Sequence, residues 1–159
     1  MATPVAAFFT SLGYWPALTI LSSAVIVLLV TRTNVAWLPV AFVASHAIAQ
    51  GAIVAIKPIF HRTRPDDWLL NRELDMSYPS GHSATAITFF LRLIFVIWHA
   101  RVPTAAQIAA SIALGICVLG IPWSRLALGA HYLTDVLGGL LFGTAWLAAS
   151  IAVYVSYAR

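Results

Sequence analysis

Long apolar runs broken by short polar stretches organise this chain of 159 residues. Five runs have the length and character of membrane-crossing helices, at approximately 14–30, 35–56, 83–98, 105–121 and 133–154. The pattern predicts an all-α fold, a multi-pass transmembrane helical bundle of about five spans. No internal repeat, linker or low-complexity tract divides the chain, so one membrane-embedded domain over 1–159 is expected, with its core at about 35–154. Residues 1–12 lack the basic n-region of a signal peptide. The run 14–30 is therefore read as a retained anchor. Residues 1–9 are expected to lie along the interface, with Phe8 and Phe9 dipping into lipid.

Composition agrees with this class. Hydrophobic residues make up 61% and charged residues only 9%, with a mean hydropathy of +0.90; soluble domains carry about 25% charged residues. A net charge of +4 and a pI near 9.7 invite a nucleic-acid reading. The basic residues form no run and lie between apolar segments, which argues against that partner. Cys117 stands alone in an apolar stretch, so an intrachain disulfide is excluded and a small core residue is expected.

What polar chemistry the chain has is gathered at the ends of the spans. Lys57 closes the second run, with Pro58 expected to end or bend the helix there, and Arg64-Pro65 follow. The planar fork of Arg64 suits two phosphate oxygens, although snorkelling of Lys and Arg at an interface is the plain alternative. Pro79-Ser80-Gly81-His82 opens the third run. Ser80 is placed to cap that helix and Gly81 to allow close approach, and free N–H groups at a helix start attract anions. His82 could then give or take a proton beside the bound group, or be an ordinary half-exposed residue behind an N-cap.

Ser124-Arg125 closes the fourth run, and His131 and Asp135 lead into the fifth. Four residues apart on a helix, His131 and Asp135 would share one face. The carboxylate could accept Nδ1–H and leave Nε2 as a lone-pair donor aimed at phosphorus, the part aspartate plays in a Ser-His-Asp triad. A structural pair, or half of a metal site, is also open, but His82 is the only further candidate ligand and no carboxylate accompanies it.

With five spans, segments 57–82 and 122–132 fall on one side of the membrane, so all three clusters converge. The opposite side carries Arg32, His99, Arg101 and Arg159 and no acid. The cluster side carries Lys57, Arg62, Arg64, Arg72 and Arg125 against Asp66, Asp67, Glu73, Asp75 and Asp135. Once three of these cations are assigned to a phosphate, the acid-free side is the better cytoplasmic face. The clusters and the N-terminus are expected outside, the C-terminus inside.

In this order and spacing the clusters resemble the type 2 phosphatidic acid phosphatase family, which shares its core with vanadium haloperoxidases. Its three motifs are complete here, at Lys57, Arg64 and Pro65; at Pro79 to His82; and at Ser124, Arg125, His131 and Asp135. The resemblance covers roughly 35–154 and implies a PAP2-like core. Family members commonly have six spans, where five are found here, and the segment between Pro65 and Pro79 is short. The resemblance implies that His131 attacks phosphorus and forms a phosphohistidine, that Asp135 orients it, and that His82 protonates the leaving oxygen and then activates water. It implies phosphate binding by Lys57, Arg64, Ser80, Gly81 and Arg125, with neither metal nor cofactor.

The implied activity is hydrolysis of a lipid phosphate monoester or pyrophosphate at a cell membrane, with a bacterial inner membrane expected. Phosphatidic acid, phosphatidylglycerol phosphate and undecaprenyl pyrophosphate are the candidate substrates; membrane lipids are the expected surroundings and the oligomeric state is open. A vanadate-loaded haloperoxidase fits poorly with so apolar a chain. The alternative class is a lipid-phosphate binding or transport protein, which needs the cations but neither His82 nor the His131–Asp135 pair.

A few residues stand outside these clusters. His46 and Gln50 lie on the second span about 16 Å and 10 Å from Lys57, where hydrogen bonds between helices are expected. Arg92, in mid-span, is expected to snorkel towards the cytoplasmic side. Gly139 and Gly143 are expected to serve packing inside the bundle rather than a dimer seam. Tyr14, Trp15, Trp37, Trp68, Trp98 and Trp123 are expected as interfacial anchors.

Overall fold

The computed structural model describes residues 2–32, 38–66, 69 and 75–157. Its helices are α1 (Ala2–Leu12), α2 (Trp15–Arg32), α3 (Leu38–Phe60), α4 (Gly81–Thr85), α5 (Arg92–His99), α6 (Thr104–Ala127) and α7 (Leu133–Tyr157), and no strand occurs among the described residues. A π-helical stretch, Ala86–Leu91, joins α4 to α5 and makes one continuous span of the three. Four spans are long and apolar enough to cross a membrane among the described residues: Val40–Phe60, Gly81–His99, Thr104–Ala127 and Leu133–Ser156. The 18-residue α2 covers the first run read from the sequence. Trp37 and Trp68 lie outside the described residues; Tyr14, Trp98 and Trp123 are exposed, as belt anchors require.

The spans are not equivalent. In Gly81–His99, 61% of the apolar window is buried inside the protein, against 11% for Thr104–Ala127 and 22% for Leu133–Ser156. The third span is therefore the centre, and α6 and α7 turn Ile112, Ile116, Leu119 and Leu141 outward. Such exposure is costly in water and favourable in lipid, which makes this a membrane protein. Phe42, Phe89, Phe90 and Ile121 form the buried centre, with the Phe42 and Phe89 rings 5.4 Å apart edge to face. The helices close up through glycine: a Cβ on Gly139 would lie 2.3 Å from the Ser80 carbonyl oxygen, and one on Gly143 would lie 2.8 Å from Ile87 Cβ. These residues serve packing within the bundle, as expected.

Several expectations need correction. Pro58 does not end α3, which runs on to Phe60, and Lys57 is buried rather than at the water's edge. Proline near a helix end forfeits only one backbone hydrogen bond; the stop comes at His61, whose φ of 48° is left-handed. Likewise α6 continues through Pro122 to Ala127, so the expected loop 122–132 shrinks to its last residues. Phe9 does not dip into lipid. It packs on α6 in the notch left by Gly120, where a Cβ would come within 2.4 Å of the ring, and meets the Trp123 ring edge to face at 6.4 Å. Phe8 is exposed as expected.

Arg92 does not snorkel. Its guanidinium is buried, donates to the carbonyls of Phe42 (3.3 Å) and Ala41 (3.2 Å) and lies 4.9 Å from the Phe42 ring centre. Backbone carbonyls of α3 lie within hydrogen-bond reach, and bonds to them offset the desolvation of the charge. As expected, His46 and Gln50 are held between helices, His46 Nδ1 at 3.0 Å from Thr88 Oγ1 and Gln50 Nε2 donating to Thr85 Oγ1 at 3.0 Å.

Candidate active site

The spacing of Ser124, Arg125 and His131 is the spacing of a helix end. Past Ala127 the chain turns through Gly129, whose φ of 66° only glycine adopts freely. The Ala130 N–H returns to the Arg125 carbonyl at 3.0 Å and the Gly129 N–H to Leu126 at 3.0 Å. This pair of bonds is a Schellman cap. The His131 N–H also reaches the Arg125 carbonyl, at 3.2 Å, so cation and imidazole leave one turn together.

His131 lies in that turn, before α7 begins, and not on a helix with Asp135 as the sequence suggested. Asp135 instead turns its carboxylate back over the start of α7, where Oδ2 accepts from the Tyr132 N–H at 2.9 Å and lies 3.4 Å from His131 Nδ1. The two still meet because the first turn of α7 needs an acceptor for its free N–H groups.

The α3 end supplies the next cations. Beyond His61, residues 62–64 run beside 75–77: the Ser77 N–H donates to the Arg62 carbonyl at 2.9 Å, and Ser77 Oγ to Thr63 at 3.0 Å. This pairing carries Arg64 under the turn. Its Nη1 donates to the Ala130 carbonyl at 3.1 Å and to His131 Nε2 at 3.0 Å. A guanidinium has no acceptor, so the neutral ring must offer Nε2 as a lone pair and carry its proton on Nδ1, facing Asp135. Lys57 Nζ and Arg64 Nη2 share the Asp75 carboxylate, one oxygen each, and Arg64 Nε donates to the Asp75 carbonyl at 3.0 Å.

The third span closes the group. Ser80 is the N-cap of α4 as predicted, accepting from the Ser83 N–H at 3.4 Å, and its own N–H donates to the Asp135 carbonyl at 3.0 Å. A Cβ on Gly81 would meet only ordinary contacts, Gln50 Oε1 at 3.5 Å being the nearest, so crowding by protein does not explain the glycine. His82 lies within electrostatic reach of Arg125, His131, Arg64 and Lys57. All the site residues read from the sequence thus gather at one end of the bundle.

Burial, with Arg64 and Arg125 beside it, holds the His131 imidazole below its usual range despite the pull of Asp135. Burial alone would raise the Asp75 carboxyl, but Lys57 and Arg64 outweigh it and hold the group below its ordinary value.

Three participants were not visible in the sequence. Arg62 lies over the Tyr132 ring at 4.4 Å, donates to Thr134 Oγ1 at 2.5 Å and approaches Asp135 Oδ1 at 2.9 Å, an ion pair rather than an aligned hydrogen bond. Thr10 of α1 accepts from Arg125 Nη1 at 2.6 Å. Asp75 entered only as a balancing acid. No local spacing links any of the three to its partner, so no sequence signal was available. Gly13 adds a steric contact: a Cβ there would lie 2.6 Å from His82 Cδ2, so the end of α1 rests on that ring.

The fold and this end of it define a helical membrane protein with a buried cationic centre carrying two histidines. The PAP2 superfamily is matched over residues 38–158, and the chain belongs to that family. Phosphatidylglycerophosphatase B of Bacillus subtilis (strain 168) is 34% identical over 89 residues, 55% of this chain and 44% of that protein. A putative undecaprenyl-diphosphatase, YbjG, of Escherichia coli (strain K12) is 36% identical over 74 residues, 46% of this chain and 33% of its own. A lipid A 1-phosphatase of Rhizobium etli is 40% identical over 83 residues, 52% of this chain and 30% of its own. The chain thus spans less than half the length of these curated relatives. The crystal structure of a transmembrane PAP2 type phosphatidylglycerolphosphate phosphatase from Bacillus subtilis superposes with a TM-score of 0.84 at 23% identity, covering 98% of this chain and 77% of that one. That likeness establishes the fold.

Proposed function

We propose that this protein is a lipid phosphatase that removes phosphate from a lipid phosphomonoester or pyrophosphate through a phosphohistidine on His131. The observation that carries the reading is the tautomer of His131, its lone pair on Nε2 among cations and its proton on Nδ1 facing Asp135. The Nε2 lone pair attacks phosphorus, the bond from phosphorus to the lipid oxygen breaks, and His82 delivers a proton to that oxygen. Asp135 stabilises the positive ring that results, and Arg62 holds Asp135. Water then attacks the phosphohistidine, giving its proton to His82; the P–N bond breaks and inorganic phosphate leaves. Lys57, Arg64 and Arg125, with Ser80 and the Gly81 amide, hold the equatorial oxygens as charge spreads over them.

A lipid head can reach this end of the bundle while its tail stays in the bilayer. Phosphatidic acid, phosphatidylglycerol phosphate, undecaprenyl pyrophosphate and, from the names of the relatives, the 1-phosphate of lipid A are the substrates to compare. We place the protein in a bacterial inner membrane with this centre on the extracytoplasmic side, as one domain over 1–159, because the acid-free opposite end suits the cytoplasm. The test is phosphate release by purified protein across this panel with EDTA present, with vanadate as a five-coordinate mimic. Turnover that survives EDTA and is blocked by vanadate supports the mechanism. Activity lost to chelation and restored by Mg²⁺ overturns it, and lipid binding with no phosphate release points to a carrier.

A further inference from the structure

The centre carries its own anion. The two oxygens of the Asp75 carboxylate are divided between Lys57 Nζ and Arg64 Nη2, as two oxygens of a phosphate would be. The cations are buried, with 9% and 2% of their side chains exposed, while half of the Asp75 side chain is open to solvent. The carboxylate is thus the outermost and most easily exchanged member of the trio. The same guanidinium that holds Asp75 through Nη2 donates to His131 Nε2 through Nη1. An anion replacing the carboxylate therefore arrives one guanidinium width from the nucleophile.

Charge decides which anions can do so. A bilayer surface presents phosphodiester head groups in large excess over monoesters. A phosphodiester carries one negative charge on two free oxygens, which equals what the carboxylate already supplies. A phosphomonoester or terminal pyrophosphate group carries up to two charges on three free oxygens and gains more from the buried cations than the carboxylate does. We infer that Asp75 is an internal competitor that sets an affinity threshold at Lys57 and Arg64, one that abundant phosphodiester lipids do not pass and that phosphomonoesters and pyrophosphates do. The inference rests on the proposed phosphate-binding role of those two cations. The depressed pKa of Asp75 supports it, because the competitor stays charged at neutral pH.

The experiment compares wild type with Asp75→Asn and Asp75→Ser in detergent micelles, the second variant guarding against a folding defect peculiar to the first. Dissociation constants are measured, with each protein in a His131→Ala background, for dioctanoyl phosphatidylglycerol, a phosphodiester, and dioctanoyl phosphatidic acid, a monoester. Loss of the competing carboxylate should tighten binding of both lipids by a similar factor, about tenfold or more, because an internal competitor scales the apparent affinity of every ligand that displaces it alike. Added phosphatidylglycerol should then inhibit phosphatidic acid turnover by the variants at concentrations that leave wild type untouched. An unchanged affinity for phosphatidylglycerol, or weaker binding of both lipids, would overturn the assignment and make Asp75 a support for the cations. Binding is read without turnover, which keeps the two levels apart. Wild type that releases no phosphate from any lipid defeats the proposed function, whereas active wild type with an unchanged phosphatidylglycerol affinity in the variants defeats only the role of Asp75.

Discussion

Two buried arginines, Arg64 at the end of the bundle and Arg92 inside it, differ in what holds them. Arg92 rests on the carbonyls of Ala41 and Phe42 and on the Phe42 ring, while its neighbour His46 is held on Thr88. Those partners are parts of α3 and the third span and cannot exchange. Arg64 also uses carbonyls, of Asp75 and Ala130, but it donates as well to an imidazole and a half-exposed carboxylate. Burial of a charge therefore does not by itself mark function. Under the proposed function, the exchangeable partners of Arg64 are what set it apart.

The largest effect should come from the group this exchange serves. His131→Ala should lower turnover on the order of 10⁴-fold and abolish the acid-labile phosphoenzyme while leaving the thermal midpoint near that of wild type. Label retained by this variant but lost in His82→Ala would reverse the two histidine roles. The two arginines can then be set against each other. Arg64→Met should lower kcat/KM about 10²- to 10³-fold with a small change in stability. Arg92→Met should cost about 1–3 kcal/mol of stability through lost hydrogen bonds and packing, with kcat within about threefold. If Arg92→Met damages turnover as Arg64→Met does, the distinction drawn between them collapses.

A smaller effect is expected at α1. Thr10→Val keeps the shape but removes the hydroxyl that accepts from Arg125, so kcat/KM should fall about tenfold while Thr10→Ser stays near wild type. The smallest is a shift in pH dependence. Attack requires the neutral ring, and the His131 pKa lies below the ordinary 6.5. Activity lost as pH falls should therefore decline only below pH 6.5. Asp135→Asn, which removes the charge that raises this pKa, should move the acid limb lower. Arg64→Met should move it higher, by removing one of the cations beside the ring with Arg125. The limb is read from kcat/KM profiles; one that stays fixed in both variants would assign it to a group other than His131.

Much of the site was legible because its signals are local. Ser80 follows the rule for capping a helix, and the separation of Arg125 from His131 is the length of a glycine-terminated helix end. Elements were less legible at their ends, where Pro58 and Pro122 looked like boundaries. A packed helix tolerates the loss of one hydrogen bond near its end, so α3 runs two residues past Pro58 and α6 five residues past Pro122. Arg92 was misread for a different reason. Hydropathy prices a charge against lipid, but the carbonyls of Ala41 and Phe42 are supplied by another helix.

By itself the sequence determined the class of the protein, the approximate place of each span, and the residues that meet at one end of the bundle. These depend on hydropathy, helix caps and spacings of a few residues, which backbone geometry converts directly into positions. Only the tertiary structure decided that Arg64 donates to His131 Nε2, that Arg62 pairs with Asp135 and Thr10 accepts from Arg125, and that Asp75 lies between Lys57 and Arg64. Each of those contacts joins residues distant along the chain, brought together by the turn at His61, the cap at Gly129 and the close glycine-mediated approach of α7 to the third span. Helix packing sets such distances, and the spacing of residues in a linear chain carries no record of them.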